Sequence, residues 1–344
     1  MALYRIKPWY KKSGGGGGTL SYYGTTTALS SALVYLSATS VGSYALFGGN
    51  GASNTSSNHS NVVNAYNTSL TQSIPTPFRS ARGALAATTI GNYALFGGGR
   101  TGSVTNEVDA YDTSLTQSTA PSIVACCDLA ATTVGAYALF GGGLTSGSSA
   151  SYYAYVYAFD ASLTRTRATD LSAARRALAA TTVGNYALFG GGCTSTSTKF
   201  DTVDAYDASL TQSTPATLTA ARYELAATTV GNYALFGGGN TKTNIVEAYD
   251  TSLTRTTPTA LSVERYGLAA TTVGNYALFG GGSGSSPTYK DTVDAYDTSL
   301  TRTIPTALST ARRYLAATTV GNYAVFGGGY NGSNSDVVEA YTVA

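Results

Sequence analysis

One phrase recurs seven times along the 344 residues: a Gly-Asn turn or a near-equivalent, then Tyr-Ala-Leu-Phe-Gly-Gly or close to it, anchored at Tyr44, Tyr93, Tyr137, Tyr186, Tyr233, Tyr276 and Tyr323. Successive anchors lie 43 to 49 residues apart. That is the period of a four-stranded propeller blade and is too long for a leucine-rich or ankyrin unit. The rest of each period fits the blade. Reading from Arg265, residues 268–273 are rich in β-formers, Gly274-Asn275 has the chemistry of a two-residue hairpin turn, and Tyr276 to Gly280 make the next strand. These are strands A and B. A loop of variable length leads to strand C at 293–296, an Asp-Thr-Ser-Leu turn at Asp297, and strand D running to about 306. Thr, Val, Tyr and Ala dominate, and no segment keeps a helical period. Pro recurs near the end of D, where an outer edge tolerates a missing donor. The expectation is an all-β, seven-bladed β-propeller with four antiparallel strands per blade.

Three features of the repeat now carry a family resemblance: the double glycine closing strand B, the Tyr-Asp pair closing strand C, and the Arg opening strand A. Over residues 19–344 the chain resembles the kelch repeat. It departs from that family where an aromatic, usually Trp, follows the Tyr-Asp pair: here the region reads Ser-Leu-Thr, as at Ser252-Leu253-Thr254, and the single Trp, Trp9, lies outside the repeats. The Gly-His and Trp-Asp pairs of the WD40 type are missing.

The first repeat starts strand A at about Leu33, whereas the sequence given stops just after strand C of the last, at Tyr341. Residues 19–28 can supply the missing strand D. Thr25-Thr26-Thr27-Ala28-Leu29-Ser30 matches Thr257-Pro258-Thr259-Ala260-Leu261-Ser262, which ends strand D in another repeat. The seventh blade is therefore expected to draw on both ends of the chain, which removes edges that would otherwise invite aggregation.

Charged residues make up only 11% of the chain, so solubility must come from Ser, Thr, Asn and Tyr. No stretch reads as a membrane span. Residues 1–18 differ from the rest: Arg5, Lys7, Lys11 and Lys12 give four positive charges and no acid, followed by five glycines, while the remaining chain holds 16 basic and 18 acidic residues. The leader lacks the apolar core of a secretory signal, and its glycines make a flexible joint. One reading is a solvated tail. The other is a docking peptide for a larger assembly, in which Tyr4, Arg5, Lys7, Trp9 and Tyr10 supply apolar anchors beside cations. Nucleic acid is disfavoured, because the main domain has no basic face to extend the patch.

Alternating strand directions put the A–B and C–D turns on one side of the ring and the B–C loops and D–A connections on the other. The A–B turns barely vary: Val183-Gly184-Asn185 and Val273-Gly274-Asn275 are typical, and only Ser43 and Ala136 replace the Asn. The other side changes from blade to blade. Its B–C loops span residues 50–61, 100–106, 144–153, 193–201, 240–244, 283–291 and 330–336. The three positions before the fixed Leu read Leu33-Val34-Tyr35, Arg82-Gly83-Ala84, Cys126-Cys127-Asp128, Arg175-Arg176-Ala177, Arg222-Tyr223-Glu224, Arg265-Tyr266-Gly267 and Arg312-Arg313-Tyr314. Variation confined to one rim of copied repeats is what a binding surface requires.

Two roles are open to the arginine that heads five of these triplets, at Arg82, Arg175, Arg222, Arg265 and Arg312. In the first, each bonds loop carbonyls as part of the frame. Alternatively they form a cationic crown at the channel mouth, extended by Arg176 and Arg313, with Tyr35, Tyr223, Tyr266 and Tyr314 as stacking platforms. The kelch resemblance implies that this rim binds acidic peptides.

Enzymatic chemistry finds little support. A copper site or a Ser-His-Asp apparatus would need His, and His59 is the only one, in a Ser/Asn-rich loop. Ten of the eighteen acids, Asp112, Asp160, Asp207, Asp250 and Asp297 among them, sit at repeat-fixed places on strand C or its turn, where an Asp caps its own turn. Asp128 and Glu224 instead face the rim and can pair with its arginines. Cys126, Cys127 and Cys193 are expected as free thiols, with a Cys193 bridge to one of the pair the alternative and zinc short of a ligand. No cofactor or metal is expected. Two function classes remain: a non-enzymatic module binding a peptide or glycan, tethered by its leader, and a carbohydrate-active enzyme on the same ring. The overall organisation is similar to decoration or adhesion proteins of tailed bacteriophages or prophages, which implies a virion surface; otherwise a chain without an export signal is expected in the cytoplasm.

Overall fold

A computed structural model describes residues 18–51, 59–145, 151–241 and 243–344. It is a seven-bladed β-propeller, each blade a four-stranded antiparallel sheet. Strands A and B are uniform: Ala179–Val183 and Tyr186–Gly190 in blade 4, Ala269–Val273 and Tyr276–Gly280 in blade 6. Strand C follows as Val203–Tyr206 and Val293–Asp297 in the same two blades. No helix in the described chain is long and apolar enough to cross a membrane.

The shared blade forms as the repeat arithmetic requires. Leu20–Thr25 is the outer strand of blade 7 and pairs with Val338–Val343, placing Tyr22 opposite Tyr341. Two boundaries differ from the sequence-based expectation. Strand A of blade 1 is Ser37–Val41, not a strand from Leu33, because residues 33–36 form the D–A turn. Strand D stops early, at Arg302–Thr303 in blade 6 against an expected end near 306. Pro305 follows within two residues and has no N–H to donate to a ladder.

The hairpin turn explains which residue of Gly-Asn matters. The seven A–B glycines have φ between 52° and 54°, whereas the residue after each is outside the positive region. Gly at the first central position alone is the requirement of a type II′ hairpin. Ser43 and Ala136 therefore replace Asn without strain.

The first glycine closing strand B has a different cause. In six blades the Phe of the next blade fills its side-chain space; a Cβ on Gly190 would lie 2.8 Å from Phe236 Cε1. Gly48 is the exception, covered by Phe78, whose ring packs tilted against Phe96 of blade 2 with centroids 5.0 Å apart. Gly190→Ala is accordingly expected to lose about 1–3 kcal/mol by overpacking, read as a lower melting temperature.

Two further contacts join blade to blade. In six blades the buried Tyr of strand C donates its hydroxyl to a carbonyl of the preceding blade's outer segment, as in Tyr206 to Thr169 at 2.9 Å and Tyr296 to Thr259 at 2.7 Å; blade 3 has Phe159 there. Along the channel, threonines on adjacent A strands pair by their hydroxyls: Thr181 with Thr229 and Thr228 with Thr272, each at 2.8 Å. Buried hydroxyls thus find partners in a sheet that has few charges to offer.

Candidate ligand-binding site

The five triplet arginines are not a crown. Arg82, Arg175, Arg222, Arg265 and Arg312 are all 0% exposed. Each is paired with a fully buried acid on strand C of its own blade: Asp109, Asp204, Glu247, Asp294 and Glu339 respectively. Arg175 places its remaining donors on main chain, the carbonyls of Gly191 (2.8 Å), Ala173 (3.0 Å) and Phe189 (3.3 Å). A guanidinium so enclosed presents nothing to a ligand, and a buried charge persists only when paired in this way. The two blades without the Arg also lack the acid. Leu33 faces a blade with Asn64 at the strand C position, and Cys126 one with Tyr157.

The acid at the strand C turn has its own task. Asp207 Oδ1 accepts from the N–H of Ser209 and Thr211, and Asp297 Oδ1 from Ser299 and Thr301, all at 2.8–2.9 Å. These are turn caps.

The second triplet position ties the two variable segments together. Gly83, Cys127, Arg176, Tyr223, Tyr266 and Arg313 form backbone bridges to Arg100, Leu144, Cys193, Asn240, Ser283 and Tyr330, the first residues of the B–C loops in the same blades. Their side chains point to unequal fates. Tyr223 is only 6% exposed and its hydroxyl accepts from Asn240 Nδ2 at 2.7 Å, so it is not a free platform. Arg313 donates to the Tyr266 hydroxyl at 3.2 Å, and its guanidinium lies 4.8 Å from the centre of the Tyr314 ring.

The third position forms the mouth of the channel. Tyr35, Ala84, Asp128, Ala177, Glu224, Gly267 and Tyr314 all have φ between 53° and 60°, the left-handed region. Each donates its N–H to the carbonyl of its counterpart in the neighbouring blade, Ala84 to Tyr35, Asp128 to Ala84, and so on to Tyr35 back to Tyr314, at 2.7–3.2 Å. The seven bonds close a backbone collar. For six non-glycine residues this conformation is strained by roughly 1–3 kcal/mol each and holds only where the surroundings enforce it.

Inside the collar lies a cavity of about 410 Å³, with the seven fixed leucines at its base, of which Leu178 and Leu225 are typical. Its wall is asymmetric. On one side Asp128 Oδ2 accepts from Arg176 Nη1 at 2.9 Å and stands 3.9 Å from Arg100. On the other, the rings of Tyr35 and Tyr314 stack with centroids 4.0 Å apart. Tyr314 crosses above Gly267, where a Cβ would sit 2.8 Å from the ring, and donates its hydroxyl to Glu224 Oε2 at 3.3 Å. The Gly at 267 is therefore part of the site: it clears the path of the tyrosine.

Burial holds the Glu224 carboxyl above the usual carboxylate range, helped by Asp128 and opposed by the Tyr314 hydroxyl, Arg176 and Asn240. Burial likewise pushes Tyr35 up to about 12. A carboxyl whose folded pKa is raised contributes stability below its unfolded pKa, and that contribution is lost as pH rises through the folded value. Glu224→Gln, which keeps an acceptor for Tyr314, should therefore melt higher than the parent near neutral pH. The gain should fade as the pH falls to about 4, where the carboxyl is protonated in both states.

Of the other sequence-level candidates, Cys126, Cys127 and Cys193 are buried free thiols, and burial pushes Cys127 up to about 12 and Cys193 to about 11. His59 is half-buried against Gly51. Tyr4, Arg5, Lys7, Trp9 and Tyr10 lie outside the described residues, as do 52–58, 146–150 and 242 of the variable loops. Sequence reasoning passed over Arg100 at the mouth and the left-handed collar itself. Gly267 in one triplet was the available sign of a positive φ.

A scan against protein-family models finds no match to the chain, and a search of curated proteins finds none either.

Proposed function

We propose that the protein is a non-enzymatic recognition module of the kelch type, which takes a peptide or glycan at the channel mouth on its variable face. One observation carries this reading. Seven equivalent positions share one backbone conformation and one hydrogen-bonded collar, yet they display Tyr, Ala, Asp, Ala, Glu, Gly and Tyr into a common cavity. A frame that identical has no structural need of such varied side chains, and a cavity of this volume is in the range of small-ligand sites. The kelch assignment is supported by the work its signature residues do: the strand B glycine admits the neighbouring Phe, the strand C Tyr staples the preceding blade, and the Arg neutralises a buried acid.

The leader, residues 1–18, supplies the tether in this reading, with Tyr4, Trp9 and Tyr10 as anchors beside Arg5 and Lys7. The larger assembly is the virion of a tailed phage, where a ring presenting one variable face outward serves adhesion. An array of glycans and acidic peptides, read alongside hydrolysis assays of the same glycans, tests the proposal. Binding without turnover is the expected result. Turnover would replace this reading with a carbohydrate-active enzyme.

A further inference from the structure

Resting on the recognition reading, we infer that the mouth is built for a neutral saccharide and not for an acidic peptide. The charge arrangement is the first argument. The five arginines that would make the rim basic are sealed against their own acids. The acids and bases lining the cavity are Asp128 and Glu224, Arg100 and Arg176, and the phenols of Tyr35 and Tyr314 stay neutral, so opposite charges balance when Glu224 is ionised. Asp128 is shared between the two arginines, at 2.9 and 3.9 Å. An anionic ligand would have to displace Asp128 from these cations; a cationic one would meet them directly.

The remaining chemistry suits a polyol ring. A sugar hydroxyl donates and accepts at once, and the wall offers both: carboxylate oxygens with lone pairs beyond those used by Arg176 and Tyr314, guanidinium N–H groups, and two phenol hydroxyls. Hydrogen bonds to the charged members are the stronger kind and need no net charge on the ligand. The stacked Tyr35–Tyr314 pair, 4.0 Å between centroids, adds rigid aromatic surface with polar tips for the C–H face of a ring. The leucine base adds apolar surface beneath it. Polar rim, aromatic wall and apolar floor occur together only at this end of the channel. The opposite end is a shallower recess of about 310 Å³ edged by repeating Ala and Thr, such as Ala180 and Thr181.

Titration calorimetry on the full chain tests this with lactose, maltose and chitobiose as neutral probes, and sialyllactose and an aspartate-rich peptide as charged ones. At least one neutral probe should bind and the charged ones should not. Tyr35→Ala and Tyr314→Ala should each weaken the neutral probe at least tenfold with melting retained. Asp128→Asn should weaken it too while admitting sialyllactose, since it frees Arg176. If the acidic probes bind the parent protein and the neutral ones do not, and Tyr314→Ala abolishes that binding, the saccharide inference is overturned and the recognition reading stands. If some probe binds and none of the three variants alters it, the mouth is not the site and both fall. If no probe in the set binds, the saccharide inference fails as stated.

Discussion

Deleting residues 19–30 is expected to leave a chain without a cooperative melting transition. The deletion removes Leu20–Thr25, the strand that pairs with the outer edge of Val338–Val343, and the Thr26 N–H that donates to the Val338 carbonyl at 2.9 Å. It also removes Leu20 and Tyr22, which pack on the cluster of blades 6 and 7, and the buried Leu29 of the blade 7 and 1 cluster. The contact at stake includes the Tyr22–Tyr341 ring pair at 5.3 Å and the Tyr22 hydroxyl donated to Glu339 at 2.9 Å. A domain holds only about 5–15 kcal/mol in total, and a propeller opened at one blade also exposes a strand edge that recruits other chains. Circular dichroism and sedimentation of the truncated chain give the readout. A soluble monomer melting at the parent temperature would mean that blade 7 does not depend on the N-terminal strand.

The second large effect belongs to the buried ion pairs. Arg175→Leu should cost about 3–5 kcal/mol, because it strands Asp204 as an unpaired charge with no access to water. The chain itself contains the compensated alternative. Blade 1 carries Leu33 where blade 4 carries Arg175, and Asn64 where blade 4 carries Asp204. Asn64 Oδ1 accepts from the Ser30 N–H at 2.9 Å and from Gln72 Nε2 at 3.0 Å. Asp204 Oδ1 accepts from the matching Ser172 N–H at 3.0 Å and Gln212 Nε2 at 2.5 Å. Asn therefore keeps the acceptor role and gives up the charge, leaving its buried Nδ2 without a partner. The double variant Arg175→Leu/Asp204→Asn should recover most of the loss of the single one. Equal stability of single and double variants would show that the charge at Asp204 is not what the arginine serves.

These pairs also show where sequence reasoning ran out. The ring, its strand order and its shared blade follow from period and turn chemistry, since both are local and repeated seven times. That the arginines lie inside was also written in the chain: Arg and acid are lost together, at Leu33 with Asn64 and at Cys126 with Tyr157. Comparing positions within one triplet hides this, because the partner stands 25 to 29 residues away on strand C. The mouth was half legible. Its face is evident from variation, and Tyr35, Tyr314, Arg176, Asp128 and Glu224 are recognisable as residues with chemistry. Their convergence is not, for it depends on a left-handed backbone that Tyr, Asp and Glu rarely adopt and that only Gly267 betrays.

The central claim is that the constant repeats are frame and the third triplet positions are the site. It is tested most directly by an array of glycans and peptides probed with three proteins: the parent, the triple variant Tyr35→Ala/Glu224→Ala/Tyr314→Ala, and Asn232→Ala in an A–B turn of the opposite face. The account predicts that the triple variant melts cooperatively and loses the parent's binding, while Asn232→Ala keeps it in full. Binding that survives the triple variant, or that disappears with Asn232→Ala, would contradict it.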